Sequence, residues 1–356
     1  MNIEANNNFL SLVRLGIGNH ADPIPSNAKW SDIEQIAIRQ GLSAVLVDGV
    51  EKLPDSYRPP QDVLLQWIGE TLQGYEYRYD QYRKTISELA GFYNSHGFKM
   101  MVLKGYSCSL DWPKPKHRPC GDIDIWLFGK QKEADAVLSK QRGIKIDKSH
   151  HLHTVFYWDD FMVENHYDFI NTSRHSSHQG LEAVFKELGK DDTHNVEVCG
   201  ERVYLPSPNL HALFLLRHAL NHFASMGITI RQVLDWAFFV EKHTKEIDWN
   251  WLNGMIKQYH MSGFVNCLNA ICVEDLGFQA KAFNGVQFYP DLKDRVLADI
   301  MQTNENELPQ GLLQRMMFRY RRWKANEWKR KLCYNESSIS NMLSGIWLHL
   351  IKPQTI

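Results

Sequence analysis

Residues 122–127 read Asp-Ile-Asp-Ile-Trp-Leu, and this alternation of acidic and apolar side chains constrains the local fold more than any other segment. Successive side chains of a β-strand point to opposite faces of the sheet. Asp122 and Asp124 therefore share one face, about 6.5–7 Å apart along the chain, whereas Ile123 and Ile125 face a core. Two adjacent carboxylates repel each other unless a cation neutralises them. The segment predicts a strand with one anionic face.

Two long stretches before this strand carry the three-to-four-residue apolar spacing of helices. A helix is predicted over residues 30–50, with Ser31 as its N-cap and Glu34 at the capping-box position. A second helical stretch covers residues 62–96, as one long helix or two joined ones. Gly97 is predicted to end it.

The pattern changes after residue 97, where short apolar and alternating runs predict a small mixed sheet. A helical pattern returns from residue 206 to about 350. The predicted fold class is therefore α+β, with a sheet-containing core at residues 97–205 between helical units at 1–96 and 206–356. Besides the strand at 122–127, the predicted strands cover residues 100–103, 154–158, 162–169, 196–198 and 202–205, with a helix at 130–140.

Charge and composition exclude several classes of protein. The formal net charge is −1 with a pI near 7.0, so no overall field attracts nucleic acid or an anionic membrane. No segment has the apolar length of a bilayer span, and the amino terminus lacks the pattern of a signal peptide. The six cysteines form no Cys-x-x-Cys pair, which favours reduced thiols. These features predict a cytoplasmic protein.

The segments around the two aspartates are arranged as a metal and phosphate site requires. Carboxylate pairs suit Mg²⁺ or Mn²⁺, which are commonly shared with substrate phosphates. An isolated Asp-x-Asp is weak evidence, because surface strands also alternate polar and apolar residues. Here Gly121 precedes the pair, Lys104-Gly105 ends another apolar strand at a turn that could hold phosphate, and residues 163–168 form a later strand with acidic side chains.

Four short motifs can be compared with known families: Lys104-Gly105, Arg118, the Gly121-to-Asp124 segment and Glu164-Asn165-His166. Together they resemble a family of uncharacterised bacterial nucleotidyltransferases in the polymerase-β-like superfamily. The similarity runs from the helix at residue 30 to near residue 241. It implies a nucleotidyltransferase-like palm. It also implies that Asp122 and Asp124 are catalytic metal ligands, and that Glu164 completes the metal triad or acts as the base. Glu164, His166 and Asp168 share one face of the predicted strand, and which of them completes the site stays open.

The resemblance also implies a set of nucleotide-binding residues. The wider superfamily has Gly-Ser at its phosphate turn, whereas this chain has Lys-Gly with a serine two positions on. The lysine is expected to contact the phosphates or merely to end a strand. The arginine is a bidentate phosphate ligand or a solvated loop residue, and the histidine is a ligand or a structural residue. The predicted set is Lys104, Gly105, Ser107, Arg118, Gly121, His166 and Arg231.

Three further features leave alternatives open. Arg231 and Asp235 are spaced to pair on one helix face, so Arg231 either reaches the nucleotide or forms an internal salt bridge. His218 and His222 have zinc-binding spacing, but no glutamate directly follows His218 as a zincin requires. Residues 315–331 hold eight basic residues, from Arg315 to Lys331, and one acid. They could bind RNA or a membrane surface, or form a solvated helix with aromatic core contacts.

The sequence therefore predicts a magnesium-dependent transferase that moves a nucleotidyl group from an NTP such as ATP to a hydroxyl-type acceptor. Small molecules, proteins and RNA are all open as the acceptor. The first alternative is a catalytically inert nucleotide-binding or interaction module on the same fold. The second is a zinc hydrolase built on the paired histidines.

Overall fold

A computed structural model describes residues 3–21, 24–25, 28–150, 152–172, 176–287, 289–302 and 311–334. Within this part of the chain two compact units form. One contains residues 3–64, 216–244 and 249–334, and the other contains residues 65–215 and 245–248. The division into three units predicted at residues 97 and 206 stays a prediction. No helix among the described residues is long and apolar enough to cross a membrane.

Helices account for most of the described chain, as the apolar spacing predicted. In chain order they are α1 (Ile3–Gly16), α2 (Trp30–Gln40), α3 (Ser43–Glu51), α4 (Gln61–Glu70), α5 (Arg78–Ser95), α6 (Tyr106–Ser109), α7 (Gln131–Arg142), α8 (Ser176–Leu188), α9 (Pro208–Ser225), α10 (Ile230–His243), α11 (Trp249–Gln258), α12 (Ser262–Ala270), α13 (Pro290–Met301), α14 (Leu312–Ala325) and α15 (Glu327–Tyr334). The helical pattern predicted beyond residue 334 lies outside the described residues.

The two helices predicted before the sheet have different outcomes. A π-helical turn at Thr71–Tyr77 joins α4 to α5, so one continuous helix is present, and Gly97 follows it with a φ of 78°. The stretch predicted as one helix over 30–50 is helical but not continuous, because Gly41 adopts a left-handed conformation and separates α2 from α3. Ser31 is also not the cap, since α2 begins one residue earlier and Lys29 holds the N-cap position.

Six strands form one mixed sheet in the order β3-β4-β2-β1-β6-β5. The β2–β4 and β1–β6 pairs are parallel and the other three pairs are antiparallel. This arrangement confirms the predicted α+β class with a small mixed sheet flanked by helices. The strands are β1 (Met101–Val102), β2 (Ile123–Trp126), β3 (His153–Trp158), β4 (Phe161–His166), β5 (Asn195–Val198) and β6 (Glu201–Tyr204).

One face of the sheet packs against α5 and α7 to form an apolar core. Ile123 and Ile125 of β2 and Val163 of β4 are fully buried there, with Leu89 of α5 and Leu138 of α7 in the same cluster. Burying such side chains stabilises the fold by about 1.5–3 kcal/mol each. Because side chains alternate along a strand, this packing directs the acidic residues of β2 and β4 to the opposite face.

A buried polar cluster fixes the same alternation on β3 and β4. Asp135 of α7 accepts hydrogen bonds from Thr154 Oγ1 and Asn165 Nδ2, both at 2.8 Å. Burial raises the pKa of Asp135, and the two hydrogen bonds oppose that shift. Asn165 thus points toward α7, and its neighbours Glu164 and His166 point away from it.

The turn after β1 requires glycine at residue 105. Gly105 has a φ of 69° and a ψ of −97°, and a Cβ built on it would collide with the Tyr82 hydroxyl. That hydroxyl donates a 2.9 Å hydrogen bond to the Asp122 carbonyl oxygen. Burial raises the pKa of Tyr82 well above its ordinary value, so the hydroxyl stays protonated. Gly105 therefore allows α5 to hold the backbone at the start of β2.

We expect Gly105→Ala to lower the free energy of unfolding by about 1–3 kcal/mol, because it adds both backbone strain and a steric clash. Gly69→Ala is the control, since Gly69 is an exposed α4 residue with open space around its Cα. It should change stability by no more than about 1 kcal/mol, and in the stabilising direction. Urea unfolding followed by circular dichroism measures both. Equal stability of the two variants would contradict this account of the turn.

Candidate functional site

Five ionisable side chains share the face of the sheet opposite the apolar core, four on three strands and one directly before β2. Asp124 of β2 pairs in register with Glu164 of β4, and His166 of β4 lies directly across from His153 of β3. Residues opposite each other on adjacent strands present their side chains on the same face. Asp122 precedes β2 and shares the face of Asp124 by alternation. We call this set the carboxylate face.

The three predicted carboxylates come together on this face. One oxygen from each of Asp122, Asp124 and Glu164 lies within 4.8 Å of the others, a spacing that could hold a metal ion. Asp124 is fully buried, Glu164 is mostly buried and Asp122 is about one-third exposed. The group is therefore anchored at its inner end and reaches solvent at Asp122.

Lys104 lies against these carboxylates. A backbone hydrogen bond of 3.0 Å from Leu103 N–H to the Asp124 carbonyl continues the β1–β2 pairing. It places Lys104 Nζ 3.1 Å from Asp124 Oδ1 and 3.6 Å from Asp122 Oδ2. Burial opposes the charged ammonium, but the carboxylates outweigh burial and raise the pKa of Lys104. Lys104 is not a solvated strand end but the counter-charge of the two aspartates.

His166 bridges two of the carboxylates. Its Nε2 lies 3.0 Å from Asp124 Oδ1 and 3.4 Å from Glu164 Oε2. Burial opposes the charged imidazole, but the hydrogen bonds to Asp124 and Glu164 raise the pKa of His166 to about 9. Burial likewise opposes charge on Glu164, yet the His166 hydrogen bond lowers its pKa to about 2. At neutral pH, His166 and Lys104 are thus cations among three anions.

His153 was not among the predicted site residues. Its Nε2 lies 3.6 Å from Glu164 Oε1, and its ring packs between those of His150 and His166. Burial and the neighbouring His166 charge lower the pKa of His153 to about 4, so this imidazole is neutral. The sequence shows a histidine directly before the strand predicted at 154–158, but only the pairing of β3 with β4 brings it to Glu164.

The other predicted nucleotide-binding residues near the turn have definite surroundings. Ser107 is buried in α6, and its hydroxyl has no hydrogen-bond partner among the described residues. Arg118 is buried rather than solvated, and its Nη1 donates to the Pro119 carbonyl at 3.2 Å. Nothing lies within 4 Å of a Cβ built on Gly121. Their roles toward a nucleotide stay predictions.

Residues predicted elsewhere are not on the carboxylate face of this unit. Asp168 follows β4 and forms a 2.5 Å ion pair with Lys186, and it does not belong to the group in which Glu164 converges with Asp122 and Asp124. Arg231 lies in α10 of the other compact unit. The rings of His218 and His222 lie 4.3 Å apart on α9, but the described residues give them no third metal ligand.

The carboxylate face fits a divalent cation of the Mg²⁺ or Mn²⁺ type. These ions bind through carboxylate oxygens, and three such oxygens converge here. Asp124 Oδ2 is buried without a hydrogen-bond partner in the described part of the chain. Burying a charged oxygen without a hydrogen-bond partner is costly, and a bound cation would offset that cost. Lys104 would have to move aside to release the two aspartates to the cation.

Comparison with known proteins identifies one family. A family model described as "Uncharacterised nucleotidyltransferase" matches residues 26–277, which is more than half of the chain and includes the whole carboxylate face. No curated protein and no solved structure gives a significant match. The match confirms the expected uncharacterised nucleotidyltransferase family.

The histidine bridge predicts a pH effect on the metal-free protein. A folded-state pKa near 9 exceeds the ordinary 6.5, so the stability from His166 is fully present below pH 6.5 and is lost as pH rises through 9. We expect the free energy of unfolding to fall by up to about 3 kcal/mol over that range. In His166→Gln this part of the decline should be absent. Urea unfolding in a chelator at several pH values measures the difference, and parallel curves would contradict the charged bridge.

Proposed function

Because the chain belongs to an uncharacterised nucleotidyltransferase family, we propose that it transfers a nucleotidyl group from an NTP to a hydroxyl-type acceptor with the help of a divalent cation. The observation that carries this proposal is the convergence of Asp122, Asp124 and Glu164 within 4.8 Å. ATP is the NTP to test first, and Mg²⁺ or Mn²⁺ is the expected cation.

In the proposed reaction an acceptor hydroxyl oxygen attacks the α-phosphorus of the NTP. A new O–P bond forms, the bond to pyrophosphate breaks, and the hydroxyl proton leaves to solvent. When bound, the cation supplies positive charge to the triphosphate and to the leaving pyrophosphate. Asp122, Asp124 and Glu164 would hold it. The low pKa of Glu164 makes this carboxylate a weak proton acceptor, which favours the ligand role over the base role.

Lys104 and His166 would act on either side of these ligands. If the cation takes over the aspartates, the Lys104 ammonium is released from them and can turn to the triphosphate as a point charge. The other predicted nucleotide-binding residues near this turn are Gly105, Ser107, Arg118 and Gly121. His166 would keep Asp124 and Glu164 oriented through the hydrogen bonds it already makes.

The acceptor is a further part of the proposal. RNA is one candidate class, because exposed basic side chains such as Arg321, Lys324 and Lys331 lie on α14 and α15. The aromatic residues of these two helices differ in their surroundings. Tyr320 is exposed and stacks on Trp323, whereas Trp328 packs against Phe223 as a core residue would. Small molecules and proteins are equally open as acceptor classes. The role of Arg231 of α10 as a nucleotide ligand is likewise still a prediction.

A catalytically inert nucleotide-binding or interaction module is the second candidate. The observation that favours it is the ion pairing of Lys104 with both aspartates. An ammonium in that position balances their charge without a metal. Such a module would bind an NTP or a partner and never release pyrophosphate.

An Asp122→Asn, Asp124→Asn double variant separates the two candidates. Incubation with α-labelled ATP, Mg²⁺ and cell extract should label an acceptor with the wild type and lower the rate at least about 100-fold with the variant, because the cation ligands are lost. Asp160→Asn, an exposed carboxylate in the β3–β4 turn, is the control and should label as wild type does. Equal labelling by the double variant would refute the catalytic assignment. ATP binding by the wild type without labelling or pyrophosphate release would support the inert module.

A further inference from the structure

The histidine side of the carboxylate face contains a second group of metal-ligating atoms. One atom from each of His153, Glu164 and His166 lies within 4.8 Å of the other two. The three residues come from the β3–β4 hairpin, where His153 and His166 are direct partners and Glu164 pairs with Val155. Since this antiparallel ladder is the longest in the sheet, the group stands on a rigid support.

The distances within this group match a metal coordination sphere. Glu164 Oε2 is 3.4 Å from His166 Nε2, and Glu164 Oε1 is 3.6 Å from His153 Nε2. Ligands bound to zinc at about 2.0–2.1 Å in a tetrahedron lie about 3.3 Å from each other. These two distances involve different oxygens of Glu164, and one ligand atom of each residue lies within 4.8 Å of the other two. A single cation could therefore contact both imidazoles and the carboxylate once the three side chains draw slightly closer together.

The two imidazoles suit this role for different reasons. A metal-bound histidine usually donates its second N–H to a carbonyl or carboxylate, and His166 Nδ1 lies 3.3 Å from the Asp168 carbonyl oxygen. The His153 imidazole makes no hydrogen bond to the described residues, since its Nδ1 is buried without a partner and its Nε2 is 3.6 Å from Glu164. His153 can thus bind a metal without losing a hydrogen bond, whereas His166 would release its Nε2 proton and exchange its hydrogen bond to Asp124 for the metal.

We propose that His153, Glu164 and His166 form a second cation site, specific for a transition-metal ion of the zinc class. Two imidazole nitrogens and one carboxylate are the donors that Zn²⁺ and its neighbours prefer, whereas Mg²⁺ prefers oxygen ligands throughout. Three protein ligands leave at least one coordination position open to water or substrate. Glu164 belongs to both groups, so the two cations would be adjacent and share this carboxylate.

This site does not depend on the proposed transfer reaction, because its ligands would bind zinc whether or not the chain turns over an NTP. The test is calorimetric titration of the metal-free full chain with Zn²⁺ in the presence of excess Mg²⁺, which occupies oxygen-only sites. We expect the wild type to bind one Zn²⁺ through this group. His153→Ala should weaken that binding at least tenfold. His194→Ala, which changes a partly exposed histidine of the same unit, should leave it unchanged.

Circular dichroism checks that each variant is folded, and His153→Gln replaces His153→Ala if the alanine variant unfolds. Titration with Co²⁺ provides a spectroscopic check, because its visible absorption reports nitrogen and carboxylate ligands. The proposal is overturned if the wild type binds no Zn²⁺ in excess Mg²⁺, or if the His153 variant binds it as tightly as the wild type. Loss of binding in His218→Ala alone would place the zinc on α9 and would equally overturn it.

Discussion

The pairing of buried cations with buried carboxylates on one face of the sheet is the interaction on which the rest of this structure depends. Unit charges 4 Å apart interact by about 4 kcal/mol at the effective dielectric near a protein surface. Asp122, Asp124 and Glu164 would therefore destabilise the fold if they stood alone. Lys104 and His166 offset that repulsion from opposite sides. The same pairing makes the face responsive to any divalent cation that competes for these oxygens.

Packing contacts and hydrogen bonds from α5 and α7 hold the strands that carry the carboxylate face. The apolar core under β2 fixes which side chains face outward, and Asp135 attaches β3 and β4 to α7. The Tyr82 hydroxyl of α5 donates a hydrogen bond to the Asp122 carbonyl oxygen, and the missing side chain of Gly105 leaves space for that hydroxyl. Each attachment comes from a helix on the far side of the sheet. Helix packing and the geometry of the carboxylates are consequently coupled, although the charged side chains that the structure describes on the face come from strands and from the turn after β1.

Strand alternation and family motifs predicted the core of the site from sequence. Alternation placed Asp122 and Asp124 together because it is a local property of one strand. The sequence could not show where Lys104 points or that His153 reaches Glu164, because those contacts depend on strand order and register between distant segments. It also grouped Asp168 with Glu164 and His166, but β4 ends at His166 and Asp168 pairs with Lys186. The break between α2 and α3 was not predicted because the apolar pattern continues on both sides of Gly41.

The central claim is that Lys104 serves as the counter-cation of a divalent-metal centre at Asp122 and Asp124. The most direct test is Mn²⁺ binding, measured by electron paramagnetic resonance without nucleotide, in the wild type and in Lys104→Met. Removing the competing ammonium should tighten Mn²⁺ binding at least about tenfold, equivalent to about 1.4 kcal/mol. Lys130→Met, which removes an exposed lysine paired with Glu133, should have no effect. Unchanged or weaker Mn²⁺ binding by Lys104→Met would contradict the account.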